Sequence, residues 1–570
     1  MVELSKRERT EKRLVGLKAV RLPYEEEWKE IASLAQPARS RFLNEKTNKG
    51  KGGRAMNRRL MDDYGILSFR TLGNGMTSGL SSSSRPWFIS KTEDPDLMRD
   101  HDTAAWLGLL DQQIYALLWR ASFYDVAKSG YAEMGLFGTE GSFMESHREK
   151  MAVCHSLTAG EFWTALGDDK RPNLMYRRVP MTVIQVVAQF VASPFDRMAL
   201  DWSKVSRTIK TLYDAGRYDD VCNIFHATES NADVQPGAIG RRGMAFQSIW
   251  WDQDDGRKDA LLKEGGYEEQ PFWCPRWDTT GSDVYGTGPG AESLPSLRNL
   301  QMQSKRKGEA TDAVVKPEKV APASLKGQLK GMPGNVVYAA TADIDKVQVP
   351  YELDYRVVEV LGNDVEKIER RLDQLTYAEL FLAITRMGGG SYKNLEEIAS
   401  RNQEALTQLG PVIERSGTEK LSVVHNRAMG IVLRSGVMPD PPEQLQGQEL
   451  KVEFNSILAQ LQRMVGIGQI ERSVGFIGNI AGAFPEAIDK VDVDGMVDEY
   501  LDRSGAPASM RASDEQVKAK RDARAKAQQA AQAAATMPAV RDGADAARLL
   551  SETDTGNGQS MLSSIAGLGA

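Results

Sequence analysis

LFLAITRMGGGSYKNLEEIASRNQEAL, residues 380–406, sets three consecutive glycines between two segments with helical patterning. Glycine lets backbone N–H groups approach an anion closely, so a phosphate-cradling loop is the first reading to test. Such a loop needs a preceding strand and a Gly-Lys-Ser/Thr ending. Here Gly388, Gly389 and Gly390 lead into Ser391, Tyr392 and Lys393, and the residues before them, through Arg386, repeat apolar positions with a helical period. The nucleotide reading fails on both counts. Asn394 is a good N-cap, and Glu397 stands where its side chain reaches back to the cap, so a helix restarts directly after the break. The glycines form a flexible link between two competent helix ends.

Upstream, residues 356–386 read as one helix. Val365, Ile368, Leu372 and Leu375 recur at spacings of three and four, with Glu366, Glu369, Arg370 and Asp373 on the other faces. Residues 315–355 carry Pro317, Pro322, Pro333 and Pro350 among short strand-like runs such as NVVYAA, a small β-rich excursion. Before it, residues 293–314 open with Ser293 and Pro295, suited to a helix start, and stop ahead of Pro317. A helix of that length spans about 33 Å. Its apolar stripe of Leu294, Leu297 and Leu300 fades into polar residues that include Lys305, Arg306 and Lys307. This basic cluster reads as a solvated face unless copies of the helix surround a polyanion.

Downstream, helix continues to about residue 435 with a bend expected at Gly410-Pro411. Further helices are expected near 454–480 and 493–503. From Ser513, SDEQVKAKRDARAKAQQAAQAAA reads as one exposed, alanine-rich helix, and the tail beyond Met537 has a composition expected to be partly disordered.

The first half has a different texture. Residues 3–35 read as helix, with Trp28, Ile31, Ala32 and Leu34 near one face, and a basic, glycine-rich stretch at 47–59 reads as a solvated loop, with a DNA- or partner-contacting loop as the lesser reading. Amphipathic helix is expected at 59–80, an extended piece at 87–90, and helices at 103–119 and 122–137. Between 150 and 285, β-like runs (AVCHSL, EFWTAL, AFQSIWW) alternate with turns and a helix near 181–192. All 10 tryptophans lie between Trp28 and Trp277, a boundary between an aromatic-rich half and a more helical one. The fold class is α+β, mainly α.

A net charge of −6 over 570 residues excludes tight nucleic-acid binding through a global basic excess. Three separated cysteines argue for a reducing compartment, and no apolar run reaches the 18 or so residues of a membrane span, so a soluble, unexported chain is expected. None of the five histidines sits in a metalloprotease or nucleophile-elbow motif. His147, Cys154 and His155 lack the second cysteine pair of a zinc site. DKVDVDGMVDEY, aligned as a calcium loop on Gly495, puts Lys490 and Leu501 where coordinating carboxylates belong. The residues give no catalytic constellation, and no cofactor is expected.

The order of parts, an α+β body, a long helix, a β-rich insertion, a second long helix, a flexible loop, a kinked helix and a helical C-terminus, resembles the portal, or head-to-tail connector, family of short-tailed phages. RLPYEEEWKEIASLAQPA, TSGLSSSSRPWF, SFYDVAKSGYAEMGLFGTEG, PRWDTTGSDVYGTGPG and ALTQLGPVIERSGTEKLSVVHNRAMGIVLRSGVMPDPP are similar to family segments, and the likeness reaches about residue 540. GGGSYKNLEE departs from the family pattern in being longer and richer in glycine. The resemblance implies a non-enzymatic ring of twelve subunits at one capsid vertex, with double-stranded DNA passing through it. It assigns 1–290 to a wing, 291–314 to a first stem helix, 315–355 to a clip and 356–386 to a second stem helix. A tunnel loop at 387–394 would project Arg386, Gly388 to Gly390, Ser391, Tyr392 and Lys393 toward DNA. A wing helix and return (395–453), crown (454–512), barrel helix (513–536) and flexible tail (537–570) complete the chain. Implied partners are terminase, major capsid and scaffolding proteins, tail adaptors and internal core proteins, in the virion and, during assembly, the host cytoplasm; no membrane is implied. Another virion structural protein, such as a core or adaptor component, would lack this order of parts, and a DNA-processing enzyme would need a nucleotide loop or metal-binding carboxylates.

Overall fold

In the computed structural model the first helix, α1 (Lys6–Ala35), is 30 residues long and joins two cores. The structure describes residues 5–43, 60–94, 97, 100–192, 200–235, 237–238, 240–317, 320, 323, 353–386, 401–445, 447–448 and 450–462 of one unit. In a second unit, beginning at Ile470, it describes 476–477, 492, 495–496, 517–529, 545 and 548. Ser5 caps α1 through a reciprocal box with Glu8. Leu14 and Leu17 of its charged half lie on a β-sheet, whereas Trp28, Ile31, Ala32 and Ala35 enter the main core. Two arginines of α1 are buried as clamps on backbone carbonyls. Arg7 donates to the carbonyls of Asp252, Asp255 and Arg257, and Arg21 donates to those of Gly160 and Phe162. The planar guanidinium fork lets one side chain satisfy several acceptors at once.

Next come α2 (Tyr64–Leu80), β1 (Phe88–Thr92), α3 (His101–Arg120) and α4 (Phe123–Phe137). The following strands are β2 (Gly141–His147), β3 (Met151–Leu157), β4 (Phe162–Leu166) and β5 (Pro172–Thr182). A short helix, α5 (Val183–Val186), opens into a π turn, and α6 (Arg207–Asp214) follows. Strands β6 (Val221–Ser230), β7 (Phe246–Asp252), β8 (Lys263–Tyr267) and β9 (Phe272–Trp273) complete this half. Five of them form an antiparallel sheet in the order β4-β5-β6-β7-β8. Side chains alternate across it. Phe225, Ala227, Ile249 and Trp251 face Leu14 and Leu17 of α1, while Cys222, Ile224 and Trp250 face Val183, Val186, Phe190 and Ile209. Cover on both faces explains why Ile249, Trp250 and Trp251 are consecutive and all buried. A three-stranded sheet, β3-β2-β9, leads toward the second half.

That half contains α7 (Pro289–Glu292), α8 (Leu294–Val315), α9 (Arg356–Leu375), α10 (Ala378–Arg386), α11 (Gln403–Ser416) and α12 (Ser422–Arg434), with a π turn at Gly417–Leu421. The last strand, β10 (Leu450–Phe454), pairs antiparallel with β1, putting Phe88 opposite Phe454. Trp87 stacks on both Phe123 and Phe454, so the return of the chain is fastened to the aromatic-rich half.

Two expectations change. The helix expected over 356–386 breaks at Thr376 and Tyr377. Thr376 Oγ1 donates to the Leu372 carbonyl at 2.9 Å, and Tyr377 adopts φ +54° with its ring stacked on Trp277. Left-handed geometry at a tyrosine is uncommon; here it turns the chain so that α10 seats Phe381 against Gly75 of α2, where any Cβ would collide with the ring. Gly410-Pro411, where a bend is expected, lies inside α11, and a π turn follows at 417–421. Ser293 does not cap α8: its hydroxyl donates to the Gly290 carbonyl at 3.2 Å, because α7 runs into α8 and leaves Ser293 in helical geometry.

Candidate nucleic-acid interface and its anchorage

Aim of the long helix α8 is set by two glycine-bearing segments that interlock at its root. Gly138 ends α4 at φ +73°, and a Cβ there would overlap the Gly286 carbonyl oxygen. On the other segment a Cβ at Gly290 would overlap the Leu136 carbonyl, and one at Gly288 would come within 2.9 Å of the Met134 carbonyl. Thr139 Oγ1 accepts the Gly286 N–H at 2.8 Å, and Trp277 N–H donates to the Gly138 carbonyl at 2.8 Å. Two sequence motifs, FGT and GTGPG, are thus halves of one joint. Backbone lies on backbone, so only glycine fits.

From this joint Leu294, Leu297 and Leu300 enter the main core, as their spacing predicts. Leu297 leaves so little room that a Cβ on Gly65 would lie 2.7 Å from its Cδ2. Gln301 then clasps the chain ahead of α2, accepting from Met61 N at 2.7 Å and donating to the Asp62 carbonyl at 2.8 Å. Beyond this point α8 touches mainly α9, and Val315, Tyr355 and Val360 are exposed at the far end of the pair. The basic cluster is divided by this packing. Lys305 lies 3.7 Å from Glu309, Arg306 faces solvent, and Lys307 is half-buried against Gly362 of α9. Arg386 ends α10. Gly388, Gly389, Gly390, Ser391, Tyr392 and Lys393, and the cap Asn394 with Glu397, lie outside the described residues.

The π turn after α11 carries consecutive charges that sequence reading passed over. Lys420 Nζ meets Glu140 at 2.6 Å with both side chains fully buried, and it lies 3.4 Å from the Tyr131 ring centroid. Glu140 also accepts from Trp273 Nε1 at 2.9 Å and Ser142 Oγ at 3.0 Å. Glu419 meets Arg276 at 2.6 Å and accepts its backbone N–H at 3.1 Å. Burial pulls the Lys420 ammonium down, and Glu140 holds it up. The two pairs have opposite polarity, so sliding the turn by one residue would set Glu419 toward Glu140 in one direction or Lys420 toward Arg276 in the other. Buried like charges make that slip costly, and register is the best-attested use of buried ionic groups. The available signal was Glu419-Lys420 between Ser416 and Val424, where the helical period calls for a buried face.

Ser90, His425 and Asp111 also meet. Ser90 Oγ lies 3.1 Å from His425 Nε2 and donates to Asp111 Oδ1 at 2.6 Å. In a nucleophile triad the acid orients the imidazole. Here acid and imidazole both meet the serine, which is 1% exposed, so the contacts tie β1, α3 and α12 together. Burial lowers the His425 pKa from 6.5 to about 4. The unfolded chain takes up a proton between those values that the folded chain refuses, so stability falls as pH drops through pH 6.5 to 4. His425→Gln keeps a polar partner for Ser90 and removes the titration; unfolding midpoints followed across that window should decline less steeply in the variant.

Among the described residues no helix is long and apolar enough to cross a membrane. Cys154, Cys222 and Cys274 are buried free thiols, and burial pushes the Cys154 pKa up to about 12.

The family model for the bacteriophage head to tail connecting protein matches residues 7–511, and the chain belongs to that family. It is 32% identical over 555 residues to the probable portal protein of Bordetella phage BPP-1, covering 96% of this chain and 97% of the relative. It is 31% identical over 565 residues to the portal protein of Salmonella phage epsilon15, covering 99% and 98%.

Proposed function

We propose that the chain assembles as a ring of twelve around a channel for double-stranded DNA at one vertex of a phage capsid. Similarity to two portal proteins over nearly the whole length carries this reading. In it α8 and α9 are the stem, residues 315–355 the clip that meets the terminase motor and then the tail adaptors, and 387–394 the loop that touches DNA. Major capsid, scaffolding and internal core proteins are further partners in this reading. The apolar side chains Val315, Tyr355, Val357 and Val360, which one copy leaves exposed, support it because neighbouring stems would cover them. A chain of net acidic charge suits a conduit, since full neutralisation of duplex phosphates would hold DNA rather than pass it.

Electron microscopy of the purified protein tests this reading: rings with a central hole are expected, and monomers or open filaments would sink it. Replacing Gly388, Gly389 and Gly390 with alanine should stiffen the loop and reduce the DNA packaged or retained per particle. Wild-type packaging and retention in that variant would remove loop mobility from the mechanism.

A further inference from the structure

Residues 517–529 are helical, and every side chain from Lys518 to Gln529 is exposed. Lys518, Lys520, Arg521, Arg524 and Lys526 are cations and Asp522 is the one acid, in a chain whose net charge is −6. Helical spacing sorts them. Lys518, Arg521 and Arg524 follow one another three residues apart, Lys520 lies four before Arg524 and Gln528 four after it, so they share a face. Ala519, Ala523 and Ala527, four apart, form a separate face of small uncharged side chains. No large apolar residue occurs between Lys518 and Gln529, so hydrophobic burial does not hold this helix against a core.

We infer that the basic face of this helix, Lys518, Lys520, Arg521 and Arg524, binds the phosphates of duplex DNA. The inference rests on the portal reading for the presence of DNA and adds a contact outside the tunnel loop and stem. The occupant follows from charge complementarity: a duplex offers one charge per about 1.7 Å of its axis, and the four cations rise over about 9 Å of helix. Sequence-independent phosphate contact needs no base-reading geometry, and this face of flexible cations and glutamine provides none. The stem cluster is built differently in that Lys307 is half-buried and packs on α9.

The test compares the full chain with its K518Q/K520Q/R521Q/R524Q variant, glutamine being close to lysine and arginine in helix propensity. A labelled mixed-sequence duplex is titrated between about 50 and 200 mM salt. The wild type should bind with a steep salt dependence, and the variant's log–log slope should be shallower by about 0.9 for each phosphate it no longer neutralises, up to roughly 3.6 for each copy whose helix meets the duplex. Absence of wild-type binding at about 50 mM salt, or coincident slopes, would overturn the inference. So would a variant that changes the copy number of the assembly and leaves the slope intact, since the helix would then serve contacts between copies. Micrographs of the same samples separate the two readings: intact holed rings with coincident slopes discard this contact alone, whereas absence of rings discards the portal reading.

Discussion

Lys420→Met should lower stability by about 3–5 kcal/mol, because it leaves the Glu140 carboxylate buried without its cation. The measurement is the midpoint of urea unfolding followed by tryptophan fluorescence. Trp273, which donates to Glu140, is itself buried and reports on the site. The double variant K420M/E140Q should recover most of the loss, since removing both charges removes the desolvation cost along with the attraction. A single variant that unfolds at the wild-type midpoint would mean that Glu140 is not held charged beneath the π turn.

Gly138→Ala should cost roughly 2–5 kcal/mol. Left-handed geometry at a residue with a Cβ costs about 1–2 kcal/mol, and relief of the overlap with the Gly286 carbonyl adds about 1–3 kcal/mol. Gly216→Ala is the control, since Gly216 has φ +72° with nothing within 4 Å of a Cβ and should show only the smaller cost. Beyond stability, the joint that aims α8 should loosen, and limited proteolysis should cut between Trp277 and Leu294 in the variant before it cuts the wild type. Equal losses at both positions would show that the backbone contact adds nothing.

Much of the fold was legible from local pattern. The spacing of Leu294, Leu297 and Leu300 marked the buried face of α8, and Trp28, Ile31 and Ala32 did the same for α1. The runs AVCHSL, EFWTAL and AFQSIWW are strands β3, β4 and β7. Strand β5 was not legible, because Arg177, Arg178 and Pro180 interrupt its apolar pattern. Arg177 is nevertheless buried, beside Glu145, 3.0 Å from His226 Nδ1 and over the Phe143 ring. Strand β10 was missed because its pattern is weak and its partner, β1, is remote in sequence. Of the residues proposed to meet DNA, the stem cluster was found where helix was expected, but which of its members remain exposed depended on Glu309 and α9.

By itself the sequence determined the helix faces, the proline-marked ends of α8, the exposed character of the helix at 517–529, and, through the segments it shares with connectors, the family. These are local or additive properties: periodicity selects a face, and a cap or proline acts within one turn. The tertiary structure alone decided the break at Thr376 and Tyr377, the glycine joint at the root of α8, and the pairing of Glu419-Lys420 with Arg276 and Glu140. Periodicity marks a charged residue as facing inward but does not name its counter-charge. That choice depends on distance and desolvation among residues far apart in the chain, which exist only once the fold has brought them together.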